Sequence, residues 1–343
     1  MTNAIDTTGL WQVFGPQARS ELSAAQDAES TPDAVAARLK DKGLMPAVQE
    51  AAFTVGAGEL FVIMGLSGSG KSTLVRCLSR LVEPTAGQVL IQGEDILTAS
   101  KARMTELRRK TLGMVFQHFG LFPHMNVLDN VAFPLKMNGI KPAARDERAR
   151  EVISMVGLEG REDAFPRQLS GGQRQRVGIA RSLAGNCDVW FLDEPFSALD
   201  PLIRRQLQDE FLRIQERVKT SIVFITHDIA EALKLADRIA IMRDGKIIQI
   251  GTPTEIILNP VDSYVSQFSR DIPKGRHMTL ADVMEPLEEL HQSGIALNTS
   301  MTLEEALSDC TMSFMPIPVR DGDGKVVGQV RPEIFVRALA GRP

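Results

Sequence analysis

Short continuous runs of apolar residues, Phe61 to Met64, Val189 to Leu192 and Ile222 to Ile225, each stop at polar or glycine residues. Runs of this length without alternation suit strands covered on both faces, as in a parallel sheet. Between them, Ser72 to Leu81 and Pro201 to Val218 space their apolar residues as helices with one buried face do. Strand and helix patterns in alternation predict an α/β fold. Ile239 to Met242 and Lys246 to Ile250 flank Asp244-Gly245, a dipeptide suited to a tight primed turn, and so predict a hairpin.

Residues 16–45 break this pattern. They are rich in Ala, Asp, Glu, Ser and Gln with few large apolar groups, which predicts a surface helical insertion after a short first strand, outside the core. The texture changes again beyond Pro273. Thr302-Leu-Glu-Glu305 has the form of a capping box, Met315 to Val319 and Lys325 to Val330 read as strands, and Asp321-Gly-Asp-Gly324 supplies a turn. The expected organisation is a large domain over 1–275 and a small α+β domain over 276–343. A length of 343 residues accommodates both.

Charge and composition narrow the function. A net charge of −4 gives no overall attraction to nucleic acid, so no nucleic-acid partner is expected. The longest apolar runs are far too short to cross a bilayer as helices, and Met1 to Leu10 has no basic region followed by an apolar core. The expectation is a cytoplasmic chain that cannot itself be a pore. Cys77, Cys187 and Cys310 are widely spaced, which predicts reduced thiols instead of a disulfide framework or zinc site.

The chemistry is concentrated in two stretches. Gly65-Leu-Ser67-Gly68-Ser69-Gly70-Lys71-Ser72 has the GxxxxGK[ST] spacing of a phosphate-binding loop, with a predicted strand before it and a helix after it. Its glycines let several N–H groups curl toward one phosphate, and the helix terminus adds partial positive charge. Lys71 would meet the β- and γ-phosphates, and Ser72 would bind Mg²⁺. Val189-Trp-Phe-Leu192-Asp193-Glu194 brings two carboxylates to the carboxyl end of a buried strand, where ligands sit in open α/β sheets. Their expected roles differ: Asp193 holds Mg²⁺, while Glu194 orients and deprotonates the attacking water.

Leu169-Ser170-Gly171-Gly172-Gln173-Arg174-Gln175-Arg176, lying between those two stretches, resembles the signature of the ATP-binding-cassette (ABC) superfamily. Gln117 in Val115-Phe-Gln-His118, Ser197-Ala-Leu-Asp200, and His227 after Ile222 to Thr226 fall in that family's order. The resemblance implies a P-loop NTPase of the ABC-ATPase fold: a RecA-like core, a helical subdomain at about 118–185 and an antiparallel β-subdomain. It implies ATP and Mg²⁺ as cofactors, with Mg²⁺ held by Ser72, Gln117 and Asp193. Gln117 would touch Mg²⁺ and water, His227 would be the switch histidine near the γ-phosphate, and Lys71 and Glu194 would complete the catalytic set. ATP would lie along Gly65, Ser67, Gly68, Ser69, Gly70, Lys71, Ser72 and Thr73, with Phe14 stacked on adenine and Trp11 as the alternative ring. Ser170, Gly171, Gly172 and Gln173, together with Asp200, would complete the pocket of a partner subunit, making ATP a bridge in a homodimer.

Beyond the shared motifs, Leu10-Trp-Gln-Val-Phe-Gly15, Phe61-Val-Ile-Met-Gly-Leu-Ser67 and Val115-Phe-Gln-His-Phe-Gly-Leu-Phe-Pro123 resemble ATPase subunits of glycine betaine, proline betaine and choline importers. This implies integral membrane permease subunits, an extracytoplasmic solute-binding protein, and a place on the inner face of the cell membrane. An importer for another small solute, such as an amino acid, is the alternative. Chromosome-maintenance ATPases insert long coiled coils or zinc elements, and translation factors of the superfamily carry two cassettes; neither pattern occurs here. The C-terminal segment resembles one copy of a CBS module, with Arg331-Pro332-Glu333 where nucleotide-binding copies carry Thr and Asp. A dimerisation role and a regulatory role are both open.

Overall fold

The computed structural model describes residues 3–115, 120–185, 187–197, 199–270, 275, 278–287, 296–312 and 315–339. The chain divides into two compact units, Met1–Ile250 and Gly251–Pro343.

Two sheets organise the first unit. The larger has six strands in the order β10-β9-β3-β8-β7-β6. β3 (Leu60–Met64), β6 (Leu112–Val115), β7 (Val189–Asp193), β8 (Ser221–Thr226) and β9 (Arg238–Arg243) run parallel. Every residue of β3, β7 and β8 is buried, as their uninterrupted apolar runs require. β10 (Lys246–Gly251) forms the expected hairpin with β9. Its turn residues Asp244 and Gly245 both have positive φ, at 51° and 85°, the condition for a type I′ turn.

The smaller sheet is antiparallel, in the order β2-β1-β4-β5, built from β1 (Asn3–Phe14), β2 (Met45–Gly56), β4 (Ala86–Ile91) and β5 (Glu94–Asp95). The first strand spans 12 residues and is therefore not short. Irregularities in register between Thr7 and Leu10 let it continue through polar residues that resemble a loop in the sequence. α3 (Lys71–Leu78) packs between the sheets, with Leu74, Val75, Cys77 and Leu78 in a core shared with Phe61, Phe191 and Val223. α4 (Lys101–Lys110) packs on β6, and a separate group, α5 (Val127–Met137), α6 (Pro142–Met155) and α7 (Gly171–Ala184), packs mutually.

The insertion folds as two helices, α1 (Ala18–Ala28) and α2 (Pro32–Asp41). The expectation that it contributes nothing to a core is corrected: Leu22, Ala25, Val35, Leu39 and Leu44 bury themselves against Trp11 and Val13. Few apolar residues suffice because they recur at helical spacing and meet the end of β1.

The second unit holds α10 (Pro253–Leu258), α11 (Ser263–Ser269), and a three-stranded sheet ordered β11-β12-β13 from β11 (Leu297–Asn298), β12 (Ile317–Arg320) and β13 (Val326–Val330). Thr302 and Glu305 make both capping-box bonds, but the helix α12 that follows is assigned to Leu307–Met312. Phe335 from α13 (Pro332–Leu339) joins Ile317, Val319 and Val330 in a small core.

All three cysteines are buried, and burial pushes the Cys77 thiol up to about 12 and the Cys187 and Cys310 thiols up to about 11. Thiolate is the reactive form. Treating the native protein with a chromogenic thiol reagent at pH 8 should therefore release almost no colour over minutes, and unfolding it in guanidinium should expose three reactive thiols. Rapid reaction of one native thiol would contradict its burial.

Candidate nucleotide site

Parallel pairing brings the chemistry together. Met64 on β3 lies opposite Thr226 on β8, and Ile225 on β8 lies opposite Asp193 on β7. The residues that follow these strand ends, Gly65, His227 and Glu194, therefore emerge side by side at one edge of the sheet.

The loop after β3 is shaped by close backbone approach. A Cβ on Gly65 would stand 2.2 Å from the Met242 carbonyl, and one on Gly70 would stand 2.3 Å from the Ala47 carbonyl. Gly245 donates its N–H to Ser69 O at 2.9 Å, so the β9–β10 turn also supports the loop. Lys71 Nζ turns inward and donates to Gly65 O at 2.8 Å and Leu66 O at 3.0 Å. Burial holds its pKa below the usual lysine range, opposed by the nearby Glu194 and Asp193 carboxylates. Ser72 Oγ donates to Asp193 Oδ1 at 2.9 Å. Ser69 Oγ is buried with no hydrogen-bond partner among the described residues. Buried hydroxyls ordinarily have a partner, and a phosphate oxygen would supply one here.

Glu194 adopts φ 46°, in the left-handed region, where non-glycine residues carry strain. Its N–H donates to Ile225 O at 3.1 Å, and its carbonyl accepts from Ser197 Oγ at 3.0 Å. The turn directs its carboxylate toward His227, whose Nδ1 lies 3.1 Å from Glu194 Oε2. Lys71, Ser72, Asp193, Glu194 and His227 thus form one cluster. Gln117 lies outside the described residues.

Ser170 caps α7: its Oγ accepts from the Gln173 N–H at 3.2 Å, and its own N–H donates to Gln173 Oε1 at 2.9 Å. These bonds stay within the first turn of α7 and do not join the loop at 65–72. Gly172 is packed against α8 (Pro201–Val218), where an added Cβ would lie 3.0 Å from Ile203. Asp200 caps α8 by accepting from the Ile203 N–H at 3.1 Å.

Phe14 ends β1 opposite Met45 and is 42% exposed. The next pair is Val13 with Pro46, followed by Ala47, whose carbonyl abuts Gly70. Trp11 is only 2% exposed and belongs to the core of the insertion, which removes it as the alternative stacking ring.

The sequence reading missed Asp228. It caps α9 (Ile229–Leu235) and takes an ion pair from Arg204 at 3.1 Å. The cap was legible as an Asp before the apolar-periodic segment from Ile229, whereas nothing local in the sequence announces its pairing with a residue 24 positions earlier.

The family model described as ABC transporter matches residues 48–197. A trimethylamine N-oxide transport system ATP-binding protein of Pelagibacter ubique is 47% identical over 98% of both chains. This chain belongs to the ABC transporter ATP-binding protein family. A glycine betaine/proline betaine transport system ATP-binding protein of Escherichia coli is 46% identical over 82% of this chain and 70% of its own. Among solved structures, a dimeric ATP-binding cassette in a post-hydrolysis state, bound to ADP and phosphate, superposes with TM-score 0.61 and 29% identity over 73% of this chain and 98% of its own. The fold of the first unit is that of an ABC ATPase, and the chain is an ATP-binding, ATP-hydrolysing protein.

Two substitutions probe the cluster of this ATPase. Lys71→Ala removes the one lysine in it and is expected to abolish most ATP turnover in a phosphate-release assay. Phe14→Ala is expected to raise the KM for ATP by about tenfold while kcat changes less than twofold, since base stacking is worth about 1–3 kcal/mol and acts mainly on binding. An unchanged KM would remove Phe14 from the adenine site.

Proposed function

We propose that this ATPase powers import of a small solute carrying a quaternary ammonium group, of the glycine betaine, proline betaine or choline class. The observation that carries this reading is the match, over most of this chain, to ATP-binding proteins named for the transport of such solutes. No described helix is long and apolar enough to cross a membrane. Its partners in this reading are integral membrane permease subunits, a second copy of this chain, and an extracytoplasmic solute-binding protein. The working position is the inner face of the cell membrane.

A second reading, trimethylamine N-oxide, is favoured by identity: two relatives named for transport of that solute are 47% and 55% identical over 98% and 79% of this chain, against 46% over 82% for the glycine betaine/proline betaine relative. Among its described residues the second unit has one strand-turn-strand copy, β12–β13, and we assign it the dimerising or regulatory role of a CBS-like module.

In turnover, Lys71 exchanges its loop carbonyls for the β- and γ-phosphates of ATP. The loop N–H groups and Ser69 Oγ hold the remaining phosphate oxygens. Ser72 and Asp193 offer hard oxygen donors that fit Mg²⁺, with Gln117 completing the set by family resemblance, and the ion supplies charge neutralisation when bound. Glu194 accepts a proton from the water that attacks the γ-phosphorus, the bond to the bridging oxygen breaks, and ADP leaves as phosphate forms. His227 orients Glu194 and faces the γ-phosphate. Ser170 and Gly172 of one subunit close the pocket of the other, so hydrolysis loosens the bridge between them.

Glu194→Gln is expected to keep ATP binding and lower turnover by about 10²–10⁴-fold. The variant should form an ATP-dependent dimer by light scattering, and Ser170→Arg added to it should abolish that dimer. A double variant that dimerises as well as the single one would refute the composite site. In a deletion strain, labelled glycine betaine, choline and trimethylamine N-oxide identify the solute: uptake of the correct one returns with the native gene and not with Glu194→Gln. Unchanged uptake of all three after deletion would refute the substrate class.

A further inference from the structure

α8 starts just after Asp200 and α9 starts just after Asp228, which follows His227. Three side-chain contacts join the helices in step. Arg204 Nη1 donates to Asp228 Oδ2 at 3.1 Å, Gln208 Nε2 donates to Glu231 Oε1 at 3.0 Å, and Lys234 Nζ meets Asp209 Oδ1 at 2.6 Å. Residues 204 and 208 are one turn apart on α8, and Glu231 lies one turn beyond the cap Asp228 on α9, so helical periodicity aligns the first two rungs. The middle rung is dry, with Gln208 and Glu231 each 5% exposed. The outermost pair is solvated and contributes little.

Arg204 also uses its second hand. Nη2 donates to the Leu199 carbonyl at 3.2 Å, just before Asp200. One guanidinium therefore spans the backbone of the segment before α8 and the carboxylate after His227. Asp228 in turn donates its N–H to Thr226 Oγ1 at 3.0 Å, while its Oδ1 accepts from the Ala230 and Glu231 N–H groups. The Thr226 hydroxyl on one side of His227 and the first turn of α9 on the other are thus tied to the residue that Arg204 grips. The imidazole itself is 57% exposed and makes its contact with Glu194.

We propose that Arg204 is a positioning residue: it ties the Asp200 segment to His227, so that a displacement of that segment at the subunit interface moves the imidazole relative to Glu194. The inference rests on the reading above, in which Asp200 faces the partner and His227 serves turnover. A planar guanidinium with two engaged hands fixes two acceptors relative to each other, which a single ion pair does not. Arg204 Nε is buried with no partner among the described residues. An unmet buried N–H lowers stability, which weighs against a purely structural reason for this side chain.

The test is a double-mutant cycle on kcat. Arg204→Met keeps the apolar stem and removes every donor; it should lower kcat by on the order of tenfold to a hundredfold through misplacement of His227, with KM for ATP within twofold. In a His227→Ala background the same substitution should change the residual rate less than twofold, because the group it acts through is gone. Arg204→Lys should recover part of the loss, and thermal unfolding of each variant confirms that it is folded. If Arg204→Met unfolds the protein, Arg204→Gln replaces it in the same cycle. Losses that multiply across the two substitutions, or a KM that rises as kcat falls, would overturn the inference. A native rate for His227→Ala alone would overturn the role of His227 as well, which separates failure of the broader reading from failure of this one.

Discussion

Parallel pairing of β3, β8 and β7 is the constraint from which the site follows. Three strands buried on both faces cannot slide relative to one another without misaligning their ladder hydrogen bonds and core contacts. Met64, Thr226 and Asp193 therefore end at one level, and the polar residues beyond them meet although Gly65 lies more than a hundred positions before Glu194 and His227. The apolar strands supply position, and the polar groups supply chemistry only because that position is rigid.

Two local strains sit at this edge. Glu194 holds a left-handed backbone, and Lys71 holds a cation largely out of water. The surroundings account for each. The Glu194 turn is pinned by Ile225 O and Ser197 Oγ, and the Lys71 ammonium is met by two loop carbonyls with two carboxylates nearby. A lysine held this way has already lost much of its rotamer freedom, which would reduce the ordering needed if it bound a phosphate.

Much of this was legible in the sequence, for reasons that differ by element. Uninterrupted apolar runs identified β3, β7 and β8, because strands buried on both faces need no polar side. The Asp244-Gly245 turn was legible because few residues tolerate positive φ in succession. The loop at 65–72 and the pair Asp193-Glu194 were legible because their chemistry is contiguous. β1 was underestimated because register irregularities hide its period, and the insertion was read as coreless because five well-spaced apolar residues are diluted by charged ones. The link from Arg204 to Asp228 was not legible, since it arises from the packing of one helix against another and leaves no local pattern.

The burial of Trp11 has an optical consequence. The chain has two tryptophans, Trp11 and Trp190, and both are almost fully enclosed, one in the core of the insertion and the other in β7. Their emission should be blue-shifted at rest and insensitive to quenchers dissolved in the surrounding water. Trp11 lies three residues from the end of the strand that carries Phe14, so any loosening of the helical insertion would expose an indole and redden the spectrum. The protein thus carries an intrinsic gauge of order beside its candidate adenine site, independent of whether ATP is being consumed.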